Sequence, residues 1–476
     1  MVKDRGKHVI LFALIIATFL ALACGEPSNT ERSAEMPTEA GVAPTETIGE
    51  SNPVQLITTP AAAQPSDTPS PAPTDTPAPT PEEDEIFLAT PTPSPTPPPT
   101  PKPSPVYVTI GAVGDIMVPG GIIEDMKNED GEYDFHPLFA PFAELFESVD
   151  LMCGNLEAPI AGSHESLSGK KSGKTGLISF NSPDSLLDAL KDYGFDLLTT
   201  ANNHCMDKGA KGLYRTIEVI RAAGIHQTGT YLNAEDREHP CIIEVNGIRF
   251  GFVASTRLLN HAYKDVGREE ERTAIGYLTG SSAADLCEEA LSDIARVKSA
   301  GAEFIIVFAH WDYENDDPTS KNTKRLARQL LEAGADCIIG SHPHRVKDAE
   351  YITVTREDGP YTGLVFYSLG NFTANQDFPL MVGLYVQLTV CRDSDGNVAL
   401  YDACVMPSYN MRRKVTEGPR FTVVPAYEDP ERIQGLIEPL SDDDIAAIAR
   451  ARALALKKLG TAAGLRVLDE PSDGDR

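Results

Sequence analysis

Along this chain, hydrophobic positions fall into a repeating order of short apolar runs and longer periodic stretches, broken by turn residues. Val106–Asp115 alternates as a strand, and Val149–Gly154 reads as a second. Between them, Leu138, Phe139, Phe142, Leu145 and Phe146 predict a helix over His136–Ser148. A further helix starts at Ser182-Pro183-Asp184 and runs to about Tyr193, followed by a strand from Phe195 and a helix over Ala210–Ala223. Cys241–Val245 and Arg249–Ala254 flank Asn246-Gly247, the signature of a hairpin. Asp285–Ala300 is amphipathic, Glu303–Ala309 is a buried strand, and Thr323–Ala333 is a helix before a strand at Asp336–Gly340. Strands at Gly363–Leu369, Met381–Val390 and Val398–Val405 follow, and a helix starts at Asp442, where three aspartates suit a helix N-terminus. The order is strand–helix early and strand–strand late. It predicts an α/β fold in which sheets pack face to face with helices outside.

The first hundred residues do not follow this pattern. Lys3, Arg5 and Lys7 precede an uncharged run, Val9–Ala23, and then Cys24. The run is short for a membrane span and suits a secretory signal over residues 1–24. Cys24 behind Ala21-Leu22-Ala23 resembles a lipobox, in which the cysteine is lipidated, although Ala21 stands where Leu is usual. The alternatives are an ordinary cleaved signal or an uncleaved anchor. All three place the remainder outside the cytoplasm, anchored to the cell membrane or secreted. Residues 25–105 are rich in Pro, Thr, Ser and Ala, and read as a disordered, partly polyproline linker. They leave 106–425 as the principal domain and 426–476 as a C-terminal helix and tail.

Charge and cysteine refine this picture. The chain carries a formal charge of −29; the linker, with 12 acidic residues against 2 basic, contributes 10 of it. The folded part is still acidic, which argues against nucleic acid. Apart from Cys24, the cysteines are scattered and several lie in apolar runs, so most read as small buried hydrophobes. GKKSGKT at Gly169–Thr175 has the wrong spacing for a phosphate-binding loop. Lys170 and Lys171 read either as a basic lip over a site or as a solvated loop.

Candidate chemistry gathers at the strand ends. They offer Asp115, Asn155, Glu157, Asn203, His204, His310, His342 and His344. In α/β folds ligands sit outside the carboxyl ends of strands. Carboxylate, carboxamide and imidazole together suit one or two divalent ions such as Mn, Fe or Zn. Each residue alone has a plainer reading: an Asn-His pair also serves turn chemistry, and a single histidine is commonly structural.

Six ordered motifs carry a resemblance. GDIM (Gly114–Met117), GNLEAP (Gly154–Pro159), ANNHCMDKG (Ala201–Gly209), HWDYE (His310–Glu314), GSHPHRV (Gly340–Val346) and YSLGNF (Tyr367–Phe372) resemble the capsule-synthesis CapA family of poly-γ-glutamate synthesis. That family is similar to the calcineurin-like metallophosphoesterases. The resemblance implies a four-layer α/β/β/α sandwich with Asp115, Glu157, Asn203, His310, His342 and His344 at metal and His204 as the catalytic acid. It departs from the phosphoesterase pattern at Met117, where a ligand histidine is expected, and at Asn155, where a bridging carboxylate is; Glu157 then has to bridge. Asn155, Lys170, Lys171 and Asn371 are the candidate substrate contacts. The implied role is synthesis, processing or retention of an anionic envelope polymer, in contact with the polymer and with membrane-bound capsule synthesis subunits. The alternatives are a non-catalytic assembly subunit and a phosphoesterase on an envelope ester.

Overall fold

The computed structural model describes residues 102–171, 178–260, 273–278, 288–314, 318–415, 418–460 and 465–468. Cys24, the signal and nearly all of the linker lie outside them. The first sheet has nine strands: β1 (Val106–Ile116), β2 (Leu151–Leu156), β5 (Phe195–Thr199), β6 (His226–Thr228), β13 (Asn371–Thr373), β14 (Val382–Arg392), β15 (Val398–Arg412), β16 (Phe421–Pro425) and β17 (Arg466–Val467). The second has six: β7 (Cys241–Val245), β8 (Ile248–Thr256), β9 (Phe304–His310), β10 (Cys337–Ser341), β11 (Ala349–Arg356) and β12 (Gly359–Phe366). A small ribbon pairs β3 (Lys170–Lys171) with β4 (Ile178–Ser179).

Side-chain alternation shows how the layers stack. Phe250, Phe252, Phe304, Ile306, Ile339 and Leu364 pack into the cluster that also holds Val108, Ile110, Leu197 and Leu388 of the first sheet. Their neighbours Val253, Ile305, Val307, Ile338 and Val365 point the other way, onto Ile294, Val297, Leu326 and Leu330 of the helices Glu288–Ser299 and Lys321–Ala333. Because strand side chains alternate between faces, one face of the second sheet meets the first sheet and the other meets helices. The fold is the expected sandwich of two sheets with helices outside.

Most elements lie where the hydrophobic pattern puts them. Asn246 (φ 50°) and Gly247 (φ 79°) both take the left-handed backbone that a two-residue turn between β7 and β8 requires. The stretch expected as one helix over His136–Ser148 is instead a helix at His136–Phe139, a 3-10 turn at Ala140–Phe142 and a helix at Ala143–Glu147. Pro141 has no N–H to bond back, so the continuous α ladder breaks there. The helix Asp442–Leu459 starts from a capping box between Ser441 and Asp444, and buries Ile448, Ala451 and Ala455 in the first sheet's core. Among the described cysteines, Cys153, Cys205, Cys337 and Cys404 are buried free thiols.

Both sheets present parallel strands in their centres. In the first these are β1, β2, β5 and β6; in the second, β8, β9, β10 and β12. Their carboxyl ends open toward one place.

Candidate metal centre

Register places the first residues of the site. Asp115 pairs across with Asn155 of β2 and with Asn371 of β13, while Ser341 at the end of β10 lies beside His310 at the end of β9. Gly340 lets β10 and the end of β12 close up: a Cβ there would stand 2.1 Å from the Tyr367 carbonyl oxygen. Beyond β10 the chain turns through His342 (φ 91°) and His344 (φ 55°), and beyond β9 through Asp312 (φ 70°). Three non-glycine residues in left-handed backbone around one cleft mark strain held by its surroundings. Part of that hold is a buried ion pair of 2.6 Å between Lys347 Nζ and Asp312 Oδ2.

Glu157 is the hub. Its Oε1 lies 3.5 Å from His310 Nε2 and 3.9 Å from His344 Nε2. Two donor groups share it: Glu157 with His310 and His342, and Asp115 with Glu157 and His344, each within 4.8 Å atom to atom. Asn203 Oδ1 adds a neutral oxygen 2.8 Å from His310 Nε2. The carboxylate is fully buried, yet among the described residues neither of its oxygens has a hydrogen-bond partner, and His342 Nδ1 is buried and unpartnered as well. Buried polar atoms are normally satisfied, so orphaned donors turned toward one another fit a cation.

Protonation follows from burial and neighbours. Burial, with the negative charge of Asp115, pushes the Glu157 carboxyl well above the usual carboxylate range. Burial, then the nearby His342 and His344, holds the His310 imidazole well below its ordinary value. Burial and His344 likewise bring His342 down to about 3. Burial opposes charge on His344 too, but the hydrogen bond and charge of Asp115 outweigh it and raise that imidazole. His310 and His342 are therefore neutral near pH 7, the form that binds metal.

Outer contacts fix which ring nitrogens face inward. His310 Nδ1 lies 2.9 Å from Ser341 Oγ, and His344 Nδ1 lies 2.9 Å from Asn371 Oδ1 and 3.2 Å from Asp115 Oδ2. With those nitrogens protonated and donating, both Nε2 lone pairs are free for a cation. Ser341→Ala is expected to weaken metal affinity by about 10- to 100-fold, because the His310 ring loses its orienting acceptor; metal titration of the purified protein measures this.

His204 stands beside this cluster with a different partner. Its Nδ1 lies 2.7 Å from Asp207 Oδ2, which also accepts the Phe180 N–H at 2.7 Å. Phe180 packs edge-on against the ring, with centroids 4.5 Å apart. A carboxylate on Nδ1 sets the tautomer and stabilises the imidazolium, leaving Nε2 to give or take a proton.

The structure therefore brings Asp115, Glu157, Asn203, His310, His342 and His344 into one cleft, with His204 at its side. Two residues expected to meet substrate are placed otherwise. Asn155 is buried and donates to Asp115 Oδ1 at 2.8 Å; Asn371 is buried, accepts from His344, and donates to Gln376 Oε1 and Leu380 O. Both position metal-side residues. Lys170 and Lys171 contribute backbone to β3, and their side chains lie outside the described residues. Met117, where a ligand histidine is expected, packs with Ala158, Phe180 and Ala374 in a small apolar cluster. Sequence reasoning gave no role to Asp207, Ser341 or Asn260; the spacing of His204 and Asp207 within one motif was the available signal for the first.

Comparison with known proteins gives the chain its relatives. The family of bacterial capsule synthesis protein PGA_cap matches residues 109–376. Capsule biosynthesis protein CapA of Bacillus anthracis is 28% identical over 269 residues, covering 56% of this chain and 60% of that protein. PGA biosynthesis protein CapA of Bacillus subtilis (strain 168) is 26% identical over 265 residues, covering 56% and 62%. The chain thus spans about three-fifths of the length of these curated relatives. Among solved structures, the calcineurin-like phosphoesterase YfkN from Bacillus subtilis aligns with a TM-score of 0.38 at 14% identity, over 75% of this chain and 99% of that one. With the family match running through every strand end that builds the cleft, this chain belongs to the bacterial capsule synthesis protein family PGA_cap.

Proposed function

We propose that this protein acts at the bacterial cell surface on poly-γ-glutamate or a related anionic envelope polymer, through a metal-dependent hydrolase-like site. The observation that carries the chemical half is Glu157, buried with both oxygens unpartnered and shared by two donor groups. The polymer half is supported by the family and by the CapA relatives, whose names refer to capsule and PGA biosynthesis. Attachment through Cys24 and the linker, and contact with membrane-bound capsule synthesis subunits, complete the reading. No described helix is long and apolar enough to cross a membrane.

In this mechanism Asp115, Glu157, Asn203, His310, His342 and His344 hold one or two divalent ions, Mn, Fe or Zn. A divalent cation, when bound, supplies Lewis acidity and lowers the pKa of water. Asp207 orients the His204 ring through Nδ1, and His204 Nε2 is the atom that passes a proton to the leaving group. Asn155 and Asn371 keep Asp115 and His344 in place.

The test is metal analysis of the purified protein, then incubation of the Mn-loaded form with γ-linked polyglutamate and with model phosphoesters. Bound metal and shortened polyglutamate are expected. Ester cleavage alone would make the protein a phosphoesterase, and full metal occupancy with both substrates intact would make it an assembly subunit.

A further inference from the structure

We propose that Arg257 is the residue through which this site grips an oxyanion of its substrate, a free α-carboxylate of a γ-linked glutamyl chain or the phosphate of an ester. The assignment rests on the reading of the cleft as one that acts on an anionic substrate, and names the contact that reading lacks.

Arg257 follows directly on β8, and its N–H donates to the His310 carbonyl at 2.9 Å. Three residues on, the Asn260 N–H donates to the Asn203 carbonyl at 2.9 Å. The Asn260 side chain accepts from Asn203 Nδ2 at 3.2 Å, and its Nδ2 lies 3.2 Å from His204 Nε2. The segment Arg257–Asn260 is therefore fastened to a metal-cluster histidine at one end and to Asn203, next to the acid histidine, at the other. Its position relative to the reacting centre is set by hydrogen bonds on both sides.

The guanidinium carbon of Arg257 lies 5.2 Å from the centre of the Tyr313 ring. Tyr313 is three residues beyond His310, 51% exposed, and precedes Glu314, whose Oε1 lies 3.7 Å from His344 Nε2. Arginine and tyrosine thus stand together at the lip of the cleft. An aromatic face under a guanidinium holds its plane without consuming its hydrogen-bond donors.

One donor is without a partner. Arg257 Nη1 is buried and has no hydrogen-bond partner, and among the described residues no carboxylate lies within ion-pair distance. Arg215, by comparison, holds Asp184, Arg237 holds Asp293 and Arg420 holds Asp125, whereas Arg345 and Arg413 share with Arg257 a buried nitrogen without a partner. The nearest acids in sequence to Tyr313 are turned elsewhere, Asp312 to Lys347 and Glu314 toward His344. A buried, charged N–H without an acceptor is costly unless a ligand supplies one. A planar fork on a residue whose backbone is tied to His310 matches the paired oxygens of carboxylate or phosphate.

The experiment is isothermal titration of the metal-loaded full chain with a short γ-linked glutamate oligomer, with inorganic phosphate, and with a neutral γ-linked isoglutamine oligomer of equal length, in which each α-carboxylate is a carboxamide. It is run on the wild type, Arg257→Gln and Arg257→Lys, with metal content and melting temperature measured for each. The wild type should bind the charged oligomer and not the neutral one. Arg257→Gln should weaken that binding at least tenfold at unchanged metal content, and Arg257→Lys should fall between, since it keeps charge but not the fork. Equal oligomer affinity in wild type and both variants overturns the assignment while leaving the polymer reading intact. Binding of phosphate alone, lost in Arg257→Gln, supports the oxyanion contact and removes the polymer. A wild type that binds neither anion overturns both. If Arg257→Gln fails to fold, the Arg257→Lys comparison decides by the same criterion.

Discussion

Glu157→Gln is expected to lower affinity for Mn(II) or Zn(II) by more than about 100-fold, and at the same time to stabilise the metal-free protein. The first effect follows from position: Glu157 belongs to both donor groups, so its loss damages each. The second follows from burial. Without a cation, a fully buried carboxylate with neither oxygen hydrogen-bonded is held well above the usual carboxylate range by burial and by Asp115. The folded chain then retains a proton that the unfolded chain has already released. Stability of the metal-free wild type therefore falls as pH rises from the ordinary carboxylate value toward the raised folded one. Glutamine has no such proton to lose, so the variant should be more stable by about 1–3 kcal/mol near neutral pH, and the gain should vanish below about pH 4. His310 and His342, held low, destabilise the fold of both proteins as pH drops below about 6.5, so the difference near neutral pH is the one that isolates Glu157. Urea titrations in chelator at several pH values, paired with metal titration, measure both effects. A variant that binds metal like the wild type would remove Glu157 from the centre.

His204→Ala is expected to reduce turnover by about 10²- to 10⁴-fold while metal content stays at the wild-type level. His204 is not in either donor group, and its Nδ1 is committed to Asp207, so removing the ring deletes a proton donor and leaves the cluster whole. Asp207→Asn should lie between. It keeps a hydrogen-bonding group near Nδ1 but no charge to stabilise the imidazolium. Single-turnover rates with matched metal analysis separate this from a binding defect. Loss of metal together with activity would assign His204 to the cation instead.

The strand ends were legible because each breaks an apolar run with residues that have no reason to follow it. Asp115, Glu157, His310 and His342 stand out in the sequence alone, and so does the hairpin at Asn246-Gly247. What could not be read depended on neighbours distant in sequence. Asn155 and Asn371 have the chemistry of a substrate contact, but the pairing of β2 and β13 against β1 turns them inward onto Asp115 and His344. Arg257 follows an ordinary-looking Ser-Thr end to β8, and what marks it among the described residues, a buried Nη1 without a partner, depends on neighbours that the sequence does not show. Among the strands, β6 is three residues long, and β11 carries Glu350, Tyr351, Thr353 and Thr355 on its more exposed positions, so neither reads as a buried run. Their hydrogen bonds to β5 and β12 form them.

The donor set is divided between the halves of the sandwich. The acids and the carboxamide stand on strand ends and loops of the first sheet, and the three imidazoles on strand ends and loops of the second. Neither half alone offers a complete chelate. An ion seated among them would act as a clasp across the seam, so loading should tighten the whole domain against unfolding and slow exchange of amides far from the cleft.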